Sequence, residues 1–146
     1  MSSLADILLA AHHRDELIAD AARLVEQHIQ QRGGLKGMGL KTGLALLKAA
    51  RPDILERASQ RMLPDMVRAL EPLYQEFRNS GVGDFAVFLD RRADTAVELL
   101  LGVADAKVAA AQNAAAKSAY QKFRGGAGEE VRGLLPRIGK LVAAYL

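Results

Sequence analysis

The residues that could do chemistry are few, and their spacing decides against most of what they suggest. Gly34-Leu35-Lys36-Gly37-Met38-Gly39-Leu40-Lys41-Thr42 comes near a phosphate-binding loop. Such a loop needs Gly-Lys-Ser/Thr between a strand and a helix, so that the lysine reaches the phosphates. Leu40 separates Gly39 from Lys41 and moves the amine out of reach, and no strand-forming run precedes it. The segment reads instead as a glycine hinge entering a helix, with Gly39 and Gly43 permitting close helix approach. His12, His13, Glu16 and Asp20 could share a helix face, the arrangement of metal ligands. A carboxylate-bridged dimetal bundle needs Glu-x-x-His on two helices. The chain has no such tetrad and no His-Glu-x-x-His. Cysteine is absent, and Ser2, Ser3, Ser59, Ser80 and Ser118 lack a nucleophile-elbow setting. Glu98 and Asp105 are the kind of acid pair that solvated helix faces carry in number. No catalytic, cofactor-binding or metal residue is assigned on these grounds, an enzyme is disfavoured, and no cofactor is expected.

Charge says more. The net charge of +3 is unevenly placed. Residues 33–51 hold Lys36, Lys41, Lys48 and Arg51 with no acid, a face that could meet an anionic partner. Lys41, Lys48 and Arg51 are expected opposite Leu40, Leu44 and Leu47. The C-terminal segment sets Leu134, Ile138, Leu141 and Tyr145 against Arg137 and Lys140. That apolar stripe is large for a chain end and is the candidate interface with a second copy, with the two basic residues as its rim. No recognised nucleic-acid motif accompanies either basic segment.

These side chains must be carried by helices. Half the residues are apolar, and the apolar share is Ala and Leu rather than β-branched or aromatic. Ser3 is placed to cap a first helix through Ala11, and the His-His-Arg-Asp stretch should interrupt before a second from about Arg14 to Gln31 with Leu17, Ala21, Leu24, Val25 and His28 in one stripe. A third is expected over 35–50, and Pro52 at the first position of the next. Pro64 should break the run from Asp53 to Arg78 and start a new helix, and Pro72 should kink it. Residues 79–83 read as a loop, and Asp84 as the cap of a short helix. The helix from about Ala93 to Ala110 is apolar on most sides, which predicts a central position with Leu100, Leu101 and Ala104 nearly fully buried. A break is expected near Asn113, a helix end at Gly125-Gly126, and a last helix from about Glu129 that meets Pro136. The pairs Tyr74/Phe77, Phe85/Phe88 and Tyr120/Phe123 are expected to fill the core. The N-terminus reads as a helix rather than a signal peptide, and no run is long enough to cross a membrane.

Several short runs carry a resemblance: Glu56-Arg57-Ala58, Leu63-Pro64-Asp65, Ala69-Leu70-Glu71-Pro72-Leu73, Asn113-Ala114-Ala115 with Lys117, Ala119-Tyr120, and Leu135-Pro136-Arg137. Together they resemble a family of small, functionally uncharacterised helical proteins of actinobacteria. The resemblance implies an all-helical fold and a bacterial cytosolic setting, and it carries no activity. The expectation is thus one all-α domain over 1–146, an irregular bundle of seven or eight helices, several of them proline-interrupted. Its expected role is that of a cytoplasmic, non-enzymatic interaction module, self-associating as a homodimer. The alternative is binding of lipid, of an apolar ligand or of an anionic surface through amphipathic helices.

Overall fold

A computed structural model describes residues 3–112 and 114–146. Among them the chain forms seven helices and no strand: α1 (Leu4–Leu8), α2 (Ala11–Gln31), α3 (Gly34–Ala50), α4 (Ile54–Ser80), α5 (Phe85–Arg91), α6 (Ala93–Ala110) and α7 (Ala114–Ala143). Ser3 and Asp6 form a reciprocal cap on α1. The Ser3 hydroxyl accepts from the Asp6 N–H, and the Asp6 carboxylate accepts from the Ser3 N–H, both at 3.0 Å. The Leu4 N–H donates to the Glu71 carboxylate at 2.7 Å, which anchors this short helix on α4.

The break after α1 falls at Leu9-Ala10, and the two histidines lie in the first turn of α2 rather than interrupting it. Pro52 sits in the turn before α4, whose N-cap is Asp53, and not at its first position. The larger correction is α4 itself. It runs unbroken from Ile54 to Ser80 with Pro64 and Pro72 inside. Each proline removes the N–H that would bond the carbonyl four residues earlier. Those carbonyls belong to Gln60 and Arg68, both exposed, where water can take the place of the lost donor. The opposite face carries Val67, Leu70, Leu73 and Tyr74 into the core, and α1, α2, α5 and α6 all pack on α4. Packing along 27 residues outweighs two local breakers. The expected loop at 79–83 begins later for the same reason. It opens at Gly81, whose φ of +79° is a left-handed cap. Asp84 caps α5 as expected, accepting from the Ala86 N–H at 2.9 Å.

α7 is a second correction. Gly125 and Gly126 do not end a helix, and no new one starts at Glu129; α7 is continuous through them and through Pro136. The expected break near Asn113 concerns a residue outside the described ones; α6 ends at Ala110 and α7 begins at Ala114. Glycine lowers helix stability without forbidding it, and α7 is held by α2, α5 and α6. This gives a test. No side chain would meet a Cβ at Gly125 or Gly126, and neither has a positive φ. The double change Gly125→Ala and Gly126→Ala is therefore expected to raise unfolding stability, by about 0.5–1 kcal/mol per site. Urea melts that show a loss instead would restore the helix end at this point.

The core gathers where α1, α4, α5, α6 and α7 meet, around Leu4, Leu8, Leu73, Phe85, Leu89, Ala96 and Leu135. Phe77 lies edge-on to Phe85 at 5.2 Å and beside Phe88 at 5.7 Å, and Tyr74 is edge-on to Phe85 at 6.2 Å. Two of the three aromatic pairs are core, as expected. The third is not: Phe123 is exposed and Tyr120 bonds Asp105. Leu100 and Leu101 are buried, but Ala104 is only partly covered. α6 is buried in its first half, where α4 and α7 cover it, and emerges toward Ala110.

Candidate functional site: an apolar cavity

Four helices do not close completely on one another. Between α2, α4, α6 and α7, with Leu8 of α1, lies a cavity of about 320 Å³. α4 supplies Leu55, Ala58, Ser59, Met62, Leu63, Met66, Val67 and Leu70, the i, i+3, i+4, i+7 face of that helix. α2 supplies Leu17, Ala21, Leu24 and Val25, most of the stripe read from its sequence. α6 supplies Leu100, Leu101 and Ala104, and α7 supplies Val131, Leu134, Ile138, Leu141 and Val142. Ala21, Ala58 and Ala104 put a methyl group on three of the walls where a leucine would reach across. The cavity comes to the surface, since Leu24, Leu55, Met62 and Leu134 are only partly buried. Among the described residues Ser59 contributes the one polar side chain of the wall, and no charged group lines it.

Polar bonds fasten the walls outside the cavity. α2 and its C-cap Arg32 are joined to α7 and the turn after it by Tyr145, whose hydroxyl donates to Asp20 at 3.0 Å, by His28 to Glu130 at 3.0 Å, by Arg32 to Glu130 at 3.1 Å, and by Arg137 to Gln31. Burial alone would raise the Glu130 carboxyl, but the hydrogen bonds from Arg32 and His28 outweigh it and hold the group below the usual glutamate range. Lys107 of α6 reaches Asp65 of α4 at 2.5 Å, and its hydrogen bond lowers that carboxyl. Arg124 of α7 grips Asp105 of α6 through Nε at 2.8 Å and Nη2 at 3.1 Å, and Tyr120 donates to the same carboxylate at 2.7 Å.

Burial, and then the bond to a carboxylate, pushes the phenols of Tyr120 and Tyr145 up to about 12. A folded-state pKa above the unfolded value near 10 means stability that is complete below pH 10 and is lost as pH rises toward about 12. Tyrosinate absorbance should show two of the three tyrosines ionising only toward pH 12, and Tyr145→Phe should remove one of those steps and soften the alkaline loss of stability. Ionisation of Tyr120 and Tyr145 near pH 10 would contradict the two bonds.

The residues singled out by sequence fall in two places. Leu134, Ile138 and Leu141 face the cavity, and Tyr145 bonds α2. The stripe offered as an interface thus turns three of its side chains toward the cavity, which α2, α4 and α6 also line. Of the basic face, Lys36 pairs with Glu129 at 2.6 Å and Lys48 with Glu26. Lys41 is partly buried and Arg51 exposed, and neither has a carboxylate partner among the described residues. Leu44 turns toward the protein while Leu47 is exposed, so the expected opposition of leucines to lysines does not hold. The loop-like glycine segment is entirely helical within α3, and nothing approaches Gly39 or Gly43. His12 lies tilted against His13, ring centres 4.0 Å apart, and His13 meets Tyr145 edge-on at 5.0 Å.

The model of a family of unknown function (DUF6918) matches residues 4–146. No curated protein and no solved structure matches the chain.

Proposed function

The chain belongs to this family of unknown function, and we propose that it is a binding protein for a hydrocarbon-like ligand held in the cavity between α2, α4, α6 and α7. One observation carries the reading: a cavity of about 320 Å³ whose wall is apolar except for the hydroxyl of Ser59. Protein interiors are ordinarily packed with few voids larger than a water molecule. This space is open to solvent, so water wets a wall with which it makes few hydrogen bonds. Water gains little in a space with one polar partner. An apolar molecule covers that wall and releases the water, and the volume lies at the lower end of the range of about 300–1,000 Å³ for small-molecule sites.

The wall also narrows the ligand class. No cation lines it, so a free carboxylate or phosphate gains nothing inside. An alkyl or isoprenoid chain, or a fused ring with at most one hydroxyl or carbonyl toward Ser59, fits the donor set. A lone hydroxyl supports binding rather than catalysis. The interaction-module reading has less support, because the C-terminal stripe proposed for it faces the cavity. Among the described residues no helix is long and apolar enough to cross a membrane. We place the protein in the bacterial cytoplasm on the strength of the sequence resemblance.

The test uses N-phenyl-1-naphthylamine, a neutral apolar fluorophore, titrated into the full chain. Saturable enhancement, displaced by a long-chain alcohol, is expected. Ala104→Phe and Ala58→Phe, which fill the space from two different helices, should each weaken the probe by more than about tenfold. Absence of saturable binding to the native chain, or undiminished binding to both filled variants, would sink the proposal.

A further inference from the structure

We propose that α3 lies on an anionic lipid bilayer, with its outward face in the interface and its lysines against the headgroups. Four of the seven large hydrophobic side chains that stand exposed among the described residues belong to this helix: Leu35 at 87%, Met38 at 64%, Leu46 at 68% and Leu47 at 56%. At about 100° per residue, Leu35, Met38, Thr42, Leu46 and Ala49 fall within one quarter of the helix circumference. All five are exposed, and none is charged. The usual order of a surface helix is therefore reversed, with apolar residues outward. Lys41 and Lys48 lie on one shoulder of this face, Lys36 on the other, and Arg51 at its end. The segment from 33 to 51 contains no acid.

The charge selects the occupant. A second copy paired about a two-fold axis through this face would bring lysines toward lysines with no carboxylate in the segment to answer them. An anionic surface has the complementary sign, and basic shoulders on an apolar face are what an interfacial helix needs. Two of the lysines already hold carboxylates, Lys36 that of Glu129 and Lys48 that of Glu26. All four side chains are at least about one-third exposed, and such pairs are weak enough to exchange for a phosphate. The mounting suits the role as well. α3 rests mainly on α2, through Leu44 and Gly37, and enters by Gly33-Gly34, the latter at φ +71°. Its 17 residues include three lysines, so it can lie in the interface but not span.

This inference rests on α3 alone and not on the cavity. Sedimentation of the full chain with phosphatidylglycerol-rich vesicles at low salt should pull it down. Phosphatidylcholine vesicles should not, and raised salt should release it. Leu46→Glu or Leu35→Glu should lower partitioning by more than about tenfold, and Lys41→Glu by about fivefold or more. These side chains are exposed or, for Lys41, partly so, and the helical circular dichroism and thermal midpoint serve to confirm that each variant is folded. Ala104→Phe should bind vesicles like the native chain even where it has lost the apolar probe. Failure to bind the anionic vesicles, or equal binding by folded Leu46→Glu, overturns the proposal. So does a dimer in solution that Leu46→Glu converts to a monomer, since a second copy would then be the occupant.

Discussion

Replacing Phe85 with alanine is expected to destabilise the fold by about 3–5 kcal/mol, the largest loss from any single truncation considered. Phe85 is 1% exposed and opens α5 immediately after its Asp84 cap. Its ring receives Phe77 edge-on at 5.2 Å and Tyr74 at 6.2 Å, so truncation removes buried area and two aromatic contacts together. Because α5 has only seven residues, it cannot hold itself as a helix without that anchor. Guanidinium denaturation of the variant should move the midpoint with little change in slope. Phe123→Ala is the comparison, since that ring is exposed and its loss should fall within about 0.5 kcal/mol. A loss below about 1 kcal/mol at Phe85 would remove α5 from the core.

Gly139→Leu is expected to cost about 3 kcal/mol or more, at the upper end for overpacking. A Cβ at Gly139 would stand 2.9 Å from the Ala86 Cα and 3.2 Å from its Cβ. The near atom is backbone, so it cannot rotate away, and α5 and α7 would have to separate. Separation strips cover from Leu89 and Leu135, both buried at this junction. Gly139→Ala should already be destabilising, which sets it apart from the gain expected at Gly125 and Gly126 in the same helix. The pair of opposite signs can be read from thermal midpoints alone. A Gly139→Leu protein as stable as the native one would mean that α5 and α7 do not cross here.

The residues that carry local information were legible in the sequence. Ser3 with Asp6 and Asp84 with Ala86 became caps because a short side chain can satisfy only the N–H groups next to it, whatever the rest of the chain does. The all-α class followed from Ala and Leu at helical spacing, and the stripe Leu17, Ala21, Leu24, Val25 does face inward. The family match over residues 4–146 agrees with the resemblance read from the Glu56 to Leu73 runs.

What tertiary structure decided was every matter in which two distant segments compete with a local preference. Pro64, Pro72, Gly125 and Gly126 each favour a break by roughly 1–3 kcal/mol, yet α4 and α7 pass through them because several helices pack along their length. The C-terminal stripe looked unpartnered, but Leu134, Ile138 and Leu141 turn toward the cavity that α2, α4 and α6 also line. The cavity could not be read at all. An alanine in an apolar stripe has one appearance whether its neighbour fills the gap or leaves it, and Ala21, Ala58 and Ala104 lie on three different helices. The outward leucines of α3 were equally hidden, since periodicity shows that a helix has an apolar side but not which side the protein takes. That choice fell to Leu44 and Gly37 against α2, which left Leu35, Met38 and Leu46 to the solvent.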